Sequence, residues 1–199
     1  MFKQYPADYL FNEERHEYNV AGVIWPSPTQ LLKEFNLVDT RFFTDHHRQR
    51  GKAVHAATHY YDDGDLDEKT IHPWVKARLD QWKKYRTDIP FGILAAEKVL
   101  FSDIHRFGVT PDRIVNGSNG RVEIREIKTS ASLDKRACRL QTAGQSLAVM
   151  EALGLDYFPH RIVIQLLETK YVTHEFTDYA DFEDFKALVN VHWLKRSKS

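Results

Sequence analysis

The chain has a single cysteine, Cys138, among its 199 residues. One cysteine excludes an internal disulfide, and it excludes any zinc or iron–sulfur site built on cysteine. It also makes a reducing compartment the simplest expectation. Long hydrophobic runs are missing too: no stretch approaches the roughly 18 apolar residues of a membrane span. The opening residues "MFKQYPADYLFNEERHEY" mix charges with aromatics and lack the apolar centre of a secretory signal. The expected location is therefore the cytoplasm. A charge excess of either sign is absent as well, with 28 Lys plus Arg against 28 Asp plus Glu. No global basic field announces a nucleic acid. Nor is there a repeat, a low-complexity tract or a linker. The chain is expected to be one domain, long enough to bury a core without covalent or metal staples.

What is present is local. Of ten histidines, four (His46, His47, His55 and His59) fall within a short segment. Basic residues gather at Arg48, Arg50 and Lys52, at Lys83, Lys84 and Arg86, at Lys135, Arg136 and Arg139, and in the tail "LKRSKS". Taken singly, each cluster reads as a solvated helix face. "WPSPTQLLKEFN" has the form of a helix start, with Ser27 as N-cap and Pro28 at the first helical position. A helix is expected from about Thr44 to Tyr61, ending in the turn-rich "DDGD". Another fits "HPWVKARLDQWKKYR", where Trp74, Ala77, Leu79 and Trp82 form part of an apolar stripe. Strands "ILAAEKVLFS", "RFGVTPDRIV" and "RVEIREIKT" follow as a meander. Next comes a helix from Asp134 to Leu153 closed by Gly154, then strands "RIVIQLLE" and "KYVTHEF", and a helix over about 181–195. Such grouping implies a mixed α/β layer fold, not a doubly wound one. The four tryptophans are expected in the core or at its boundary.

The hairpin around "NGSNG" carries the chemistry. Val122 and Ile124 set one face of its second strand, and period-2 alternation places Glu126 and Lys128 on that same face. If Asn116 and Arg121 are the last paired residues, Asp112 falls opposite Arg125, beside Glu126; a one-residue change in the loop alters that partner. Pro111 suits a bulge or an edge there. Two carboxylates with a lysine suit a hard divalent cation, which takes oxygen ligands and keeps several waters. The main-chain carbonyl of Ile127 can complete the set. Lys128 beside the ion can polarise or deprotonate the attacking water and screen the charge developing on phosphorus. The plainer alternative is a salt bridge of Glu126 with Lys128 or Arg113.

"PD" followed by "EIK" resembles the PD-(D/E)XK nuclease superfamily, and more specifically its RecB-like branch with phage and recombination exonucleases. "RGKAVHAATH" is similar to that branch's G-x-x-x-H helix, with Gly51 and His55. "AAEKVL" offers an upstream acid, Glu97. "LQTAGQSLAVME" resembles the Q-x-x-x-Y element, with Gln141 in place and Gln145 where tyrosine is usual. "GVIWPSPTQLL" also resembles a segment of phage members. The likeness runs from about Gly22 to Met150, and the lack of the four cysteines that cluster-bearing relatives carry places it with members free of an iron–sulfur cluster. It implies a restriction-endonuclease-like core: a central mixed sheet of about five strands flanked by helices, spanning about 44–176. Residues 1–43 would form an accessory segment.

The resemblance further implies Mg²⁺ or Mn²⁺ as cofactor, held by Asp112, Glu126 and the Ile127 carbonyl. His55 would be a further ligand or a phosphate neighbour. Lys128 would be the catalytic lysine, Glu97 a carboxylate at the metal or its water, and Gln141 an orienting residue. Arg48, Arg50, Lys52, Thr129, Ser130, Lys135, Arg136, Arg139 and Gln145 are candidate DNA contacts. DNA, double- or single-stranded, is the implied partner, with no membrane, and the location is the host cytoplasm for a phage-encoded chain. A second copy of the chain or a recombination protein is a further candidate partner.

The function implied is metal-dependent hydrolysis of DNA, with an exonuclease favoured over a non-specific endonuclease. A rival is a DNA-binding or assembly protein that keeps the fold without the chemistry. A third reading, zinc hydrolysis through His55 and His59 at i and i+4, lacks the glutamate of H-E-x-x-H, since Ala56 stands there; His59 is expected to be structural.

Overall fold

A computed structural model describes residues 1–38 and 44–197. Three short strands open the chain: β1 (Tyr9–Asn12), β2 (Glu17–Val20) and β3 (Val23–Trp25), a small antiparallel sheet. Helix α1 (Pro28–Glu34) follows with the expected start. The Ser27 hydroxyl accepts from the Gln30 amide, the Gln30 side chain accepts from the Ser27 amide, and Pro28 occupies the first turn. This reciprocal arrangement satisfies two donors that a helix start otherwise leaves open.

Helix α2 (Asp45–Asp63) is capped by Thr44 and ends at Gly64 with φ +80°, the left-handed turn that glycine adopts without Cβ strain. Helix α3 (Pro73–Asp88) lies beside it. Its stripe buries Leu79 and Trp82 fully, while Trp74 and Ala77 sit at the boundary.

The central sheet is five-stranded, in the order β10-β9-β8-β7-β4. Its strands are β4 (Gly92–Ala96), β7 (Arg113–Asn116), β8 (Val122–Lys128), β9 (His160–Leu166) and β10 (Tyr171–Phe176). β8 and β9 run parallel and the other neighbours antiparallel. Helix α4 (Lys135–Leu153) links that parallel pair, as a crossover must. With α1 and α5 (Ala180–Arg196) it covers one face of the sheet, over a core that includes Val122, Ile124, Leu140, Leu147 and Phe185. Helices α2 and α3 cover the other face around Ile127, Ile164, Leu79 and Trp82. The fold is thus mixed α/β, with a mixed central sheet flanked by helices.

Two expected strands are broken. "ILAAEKVLFS" ends in the main sheet at Ala96, turns at Glu97 with φ +46°, and resumes as β5 (Leu100–Ser102). "RFGVTPDRIV" divides into β6 (Phe107–Val109) and β7 around Thr110-Pro111. β5 and β6 pair only with each other and lie against α4. Proline has no amide to give a ladder, so the chain leaves one sheet and enters the next at Pro111. The expected continuous meander is therefore a split one. Among the described residues no helix is long and apolar enough to cross a membrane.

Candidate active site

β8 explains how core and charge share one face. Val122 and Ile124 pack beneath α4, and Glu126, two residues on, still points at that helix. There it meets polar side chains. Gln141 Nε2 donates to Glu126 Oε1 at 2.6 Å, Gln145 Nε2 donates to Oε2 at 2.8 Å, and Lys128 Nζ donates to Oε1 at 2.8 Å. Lys128 also donates to Gln141 Oε1 at 2.9 Å. Glu126 is only 3% exposed. A carboxylate this deep persists because every oxygen has a donor, since leaving one bare costs several kcal/mol.

The hairpin register differs by one residue from the expected one. Asn116 pairs with Val122, not Arg121, and Arg113 faces Arg125. Asp112, the residue before Arg113, is therefore level with Glu126. Its Oδ2 accepts from the Ile127 amide at 2.7 Å, and its Oδ1 lies 3.0 Å from His55 Nδ1 on α2. Glu97 sits next along, its amide donating to the Asp112 carbonyl at 3.1 Å. Its side chain is exposed. His55, Asp112, Glu126, Lys128 and Gln141, far apart in sequence, thus gather at one end of β8, with Glu97 joined to them through its backbone alone.

The charges compensate each other. Burial presses the His55 pKa down, but the Asp112 and Glu126 carboxylates together outweigh it and the net shift is upward. Burial pushes Asp112 up, while His55, Lys128 and the Ile127 amide bring it below the usual carboxylate range. Burial also acts against the Lys128 charge, yet Glu126 and Asp112 leave its pKa above the ordinary lysine value. Lys128 is accordingly a charged donor, which favours the polarising and charge-screening role over deprotonation of water.

Among the described residues no three His, Cys, Asp or Glu side chains converge as a metal-ligand set. The expected trio of His55, Asp112 and Glu126 is therefore not gathered round one point. The available donors are two carboxylates and main-chain oxygen. That suits Mg²⁺ or Mn²⁺, which accept one or two carboxylates plus waters, and does not suit zinc with its dense nitrogen and sulfur set. His59 turns toward Asp63, 3.7 Å away, in keeping with a structural role.

The candidate DNA contacts fall into two groups. Arg48, Lys52, Lys135 and Arg136 are exposed, and Thr129 and Ser130 lie half-buried just past Lys128. Arg50 is half-buried with its guanidinium 4.5 Å from the centre of the Trp74 ring. Arg139, by contrast, is held by Asp181 at 2.6 Å and Asp184 at 2.8 Å on α5. Gln145 is 3% exposed and belongs to the floor beneath Glu126. Its place is inside the cluster, not on a surface that DNA could reach.

Sequence reasoning missed the support behind Asp112. Arg113 is fully buried; its Nε donates to Asp62 Oδ2 at 2.8 Å and its Nη1 to the Asp112 carbonyl at 2.7 Å. Nη2 reaches Thr58 Oγ1 at 3.3 Å, and Trp82 Nε1 donates to Asp62 Oδ1 at 3.1 Å. A signal existed: His55, Thr58 and Asp62 have the i, i+3, i+7 spacing of one helix face.

No sequence family matches this chain, and no curated protein matches it. Among solved structures it is similar to an alkaline exonuclease from Laribacter hongkongensis, at 12% identity and a TM-score of 0.47, covering 86% of this chain and 92% of that one. It is also similar to a structure named SSO0001, at 12% identity and a TM-score of 0.36, covering 82% and 81%. Likenesses this distant leave the chemistry to the residues of the site themselves.

Proposed function

We propose that the chain is a metal-dependent deoxyribonuclease that hydrolyses DNA phosphodiester bonds with Mg²⁺ or Mn²⁺. We further propose that it works as an exonuclease in phage-type recombination, repair or DNA processing. The observation that carries this reading is the meeting of Asp112, Glu126 and Lys128 at the end of β8, with His55 and Gln141 holding them in place. Held by Asp112, Glu126 and the Ile127 carbonyl, the ion would polarise a phosphate oxygen and acidify a bound water. The protein's own part is positioning and charge. Lys128, kept protonated, offers hydrogen bonds to charge developing on the phosphate. Gln141 bridges Lys128 and Glu126, fixing their separation. His55 and the Ile127 amide orient Asp112.

One observation favours the non-catalytic rival: each of the four oxygens of Asp112 and Glu126 already faces an internal donor, so both carboxylates are satisfied from within, although Gln145 Oε1 beside them is buried with no partner. Glu126 Oε1 already accepts from both Lys128 and Gln141, but the other three oxygens each face a single donor, and their second lone pairs leave room for a cation. The two readings separate in a cleavage assay on linear, nicked and closed-circular DNA with Mg²⁺, Mn²⁺ or EDTA. The nuclease reading expects linear DNA to be degraded with either metal and spared by EDTA. Asp112→Ala and Lys128→Ala should each lower the rate by about 10²-fold or more, the scale of removing one preorganised charge, with the folded circular-dichroism spectrum kept. Undiminished cleavage by either folded variant would sink the proposal.

A further inference from the structure

We propose that Arg50 and Arg78, gathered on the Trp74 ring, form a second phosphate-binding site that grips the DNA strand away from the bond to be cut. This rests on the DNA part of the reading above, though not on catalysis. The Arg78 guanidinium lies 3.9 Å from the centre of the Trp74 ring and that of Arg50 4.5 Å. Indole faces attract cations, each contact contributing about 0.5–2 kcal/mol according to its exposure. Two like charges on one ring nevertheless repel each other.

Four of the other buried or half-buried arginines solve their charge differently, and half-buried Arg86 still has the Asp62 carboxylate at 3.8 Å. Arg113, Arg125, Arg139 and Arg161 each have a carboxylate oxygen within 2.5–2.9 Å. Arg78, at 9% exposed, is somewhat more open than Arg113, Arg125 and Arg161, but among the described residues no carboxylate forms a salt bridge with it or with Arg50. Its Nη1 donates to the Trp74 carbonyl at 3.2 Å, while its buried Nε has no partner. Burial weakens its charged state and Arg50 adds to that, with Glu168 the opposing influence. A phosphodiester entering on the half-buried Arg50 side supplies the missing negative charge and oxygens that match a guanidinium fork, while Arg78 Nε stays buried.

The position fits a strand leaving the candidate active site. Gly51, next to Arg50, lies against Thr129, the residue after Lys128; a Cβ on it would be 3.8 Å from Thr129 Oγ1. Glu168, which acts on Arg78, lies in the turn after β9. β9 runs parallel to β8 with Gln165 beside Lys128, so that turn is at the Lys128 end of the sheet. Arg50 and Arg78 therefore flank the same edge as the cluster, reached from α2 and α3.

The test is binding of a labelled single-stranded oligonucleotide in EDTA over a salt series, with wild type, Arg50→Gln, Arg50→Gln/Arg78→Gln and, as control, Lys84→Gln. Each lost phosphate contact should make the slope of log K against log salt shallower by about 0.7. Affinity should fall with it, and Lys84→Gln should match wild type. Arg50→Gln touches only a half-exposed ring contact, so it keeps the test decisive even if burial at Arg78 makes the double variant unfold. Unchanged slope and affinity in Arg50→Gln would overturn the site. Wild-type protein that binds no DNA would overturn both the site and the DNA reading. Shallower slopes in a protein that never cuts DNA would uphold the site and leave the nuclease reading to fall alone.

Discussion

Replacing Arg113 by methionine removes the cation of a pair in which neither side chain reaches water: Arg113 is 0% exposed and Asp62 1%. The Asp62 carboxylate keeps the Trp82 N–H at 3.1 Å but loses its hydrogen-bonded cation, and Arg86, paired with it at 3.8 Å, offsets only part of the remaining charge without a hydrogen bond. Breaking one side of such a pair costs about 3–5 kcal/mol, because the remaining charge stays buried. For a chain of this length that corresponds to a fall in Tm of about 6–20 °C, at about 2–4 °C per kcal/mol. The double variant Asp62→Asn/Arg113→Met should lose less. Asparagine is neutral and still accepts from Trp82, and the Asp112 carbonyl retains the Glu97 amide. Urea denaturation followed by circular dichroism measures both. Arg113→Met within about 1 kcal/mol of wild type, the range of an exposed pair, would refute the argument, as would a double variant less stable than the single one.

Three further outcomes are expected. In Gly108→Ala the new Cβ would lie 2.1 Å from the ring of Tyr18, which is fully buried and tied through its hydroxyl to Thr110 at 2.7 Å; a loss of about 1–3 kcal/mol or more is expected in thermal melts, whereas Gly92→Ala, with open space around it, should change little. Ser27→Ala removes half of the reciprocal cap on α1 and should cost about 1 kcal/mol by chemical denaturation, with Ser27→Thr restoring most of it. Burial, with Asp103 adding to it, raises the Glu151 pKa although Ser102 and the Ile104 amide hydrogen-bond to its carboxylate. The folded state then holds this proton more tightly than the unfolded one, so the contribution is full below the unfolded pKa and is lost as pH rises through the folded pKa. Wild type should accordingly gain stability relative to Glu151→Gln on going from pH 7 to pH 4, and a constant or reversed difference would contradict that sign.

Much of the site was legible residue by residue. His55, Glu97, Asp112, Glu126, Lys128 and Gln141 were all picked out as candidates, and all but Glu97, which adjoins through its backbone only, bring their side chains together. Their chemical roles await the cleavage assay, but their proximity follows from the hairpin and from the two helices packed on opposite faces of β8. The candidates whose side chains turned elsewhere are instructive. Arg139 looked like a free cation at a helix start, but α5 returns from the far end of the chain to supply Asp181 and Asp184. Gln145 looked like a departure facing DNA, but it lies one helical turn beyond Gln141 and so reaches the other oxygen of Glu126.

Local chemistry needs only neighbouring residues, and to that extent the sequence alone determined this protein. The Ser27–Gln30 cap, the glycine ends of α2 and α4, the "NGSNG" turn and the helical stripes were settled within a few residues of themselves. Tertiary structure decided the rest. The three- and four-residue strands of the N-terminal sheet are too short to show a period, and they exist because an aromatic cluster of Tyr18, Trp25 and Phe101 closes over them. The level of Asp112 against Glu126 turned on a single residue of hairpin register. A slip of one exchanges the two faces of a strand, and only the packing of both faces against different helices selects between them.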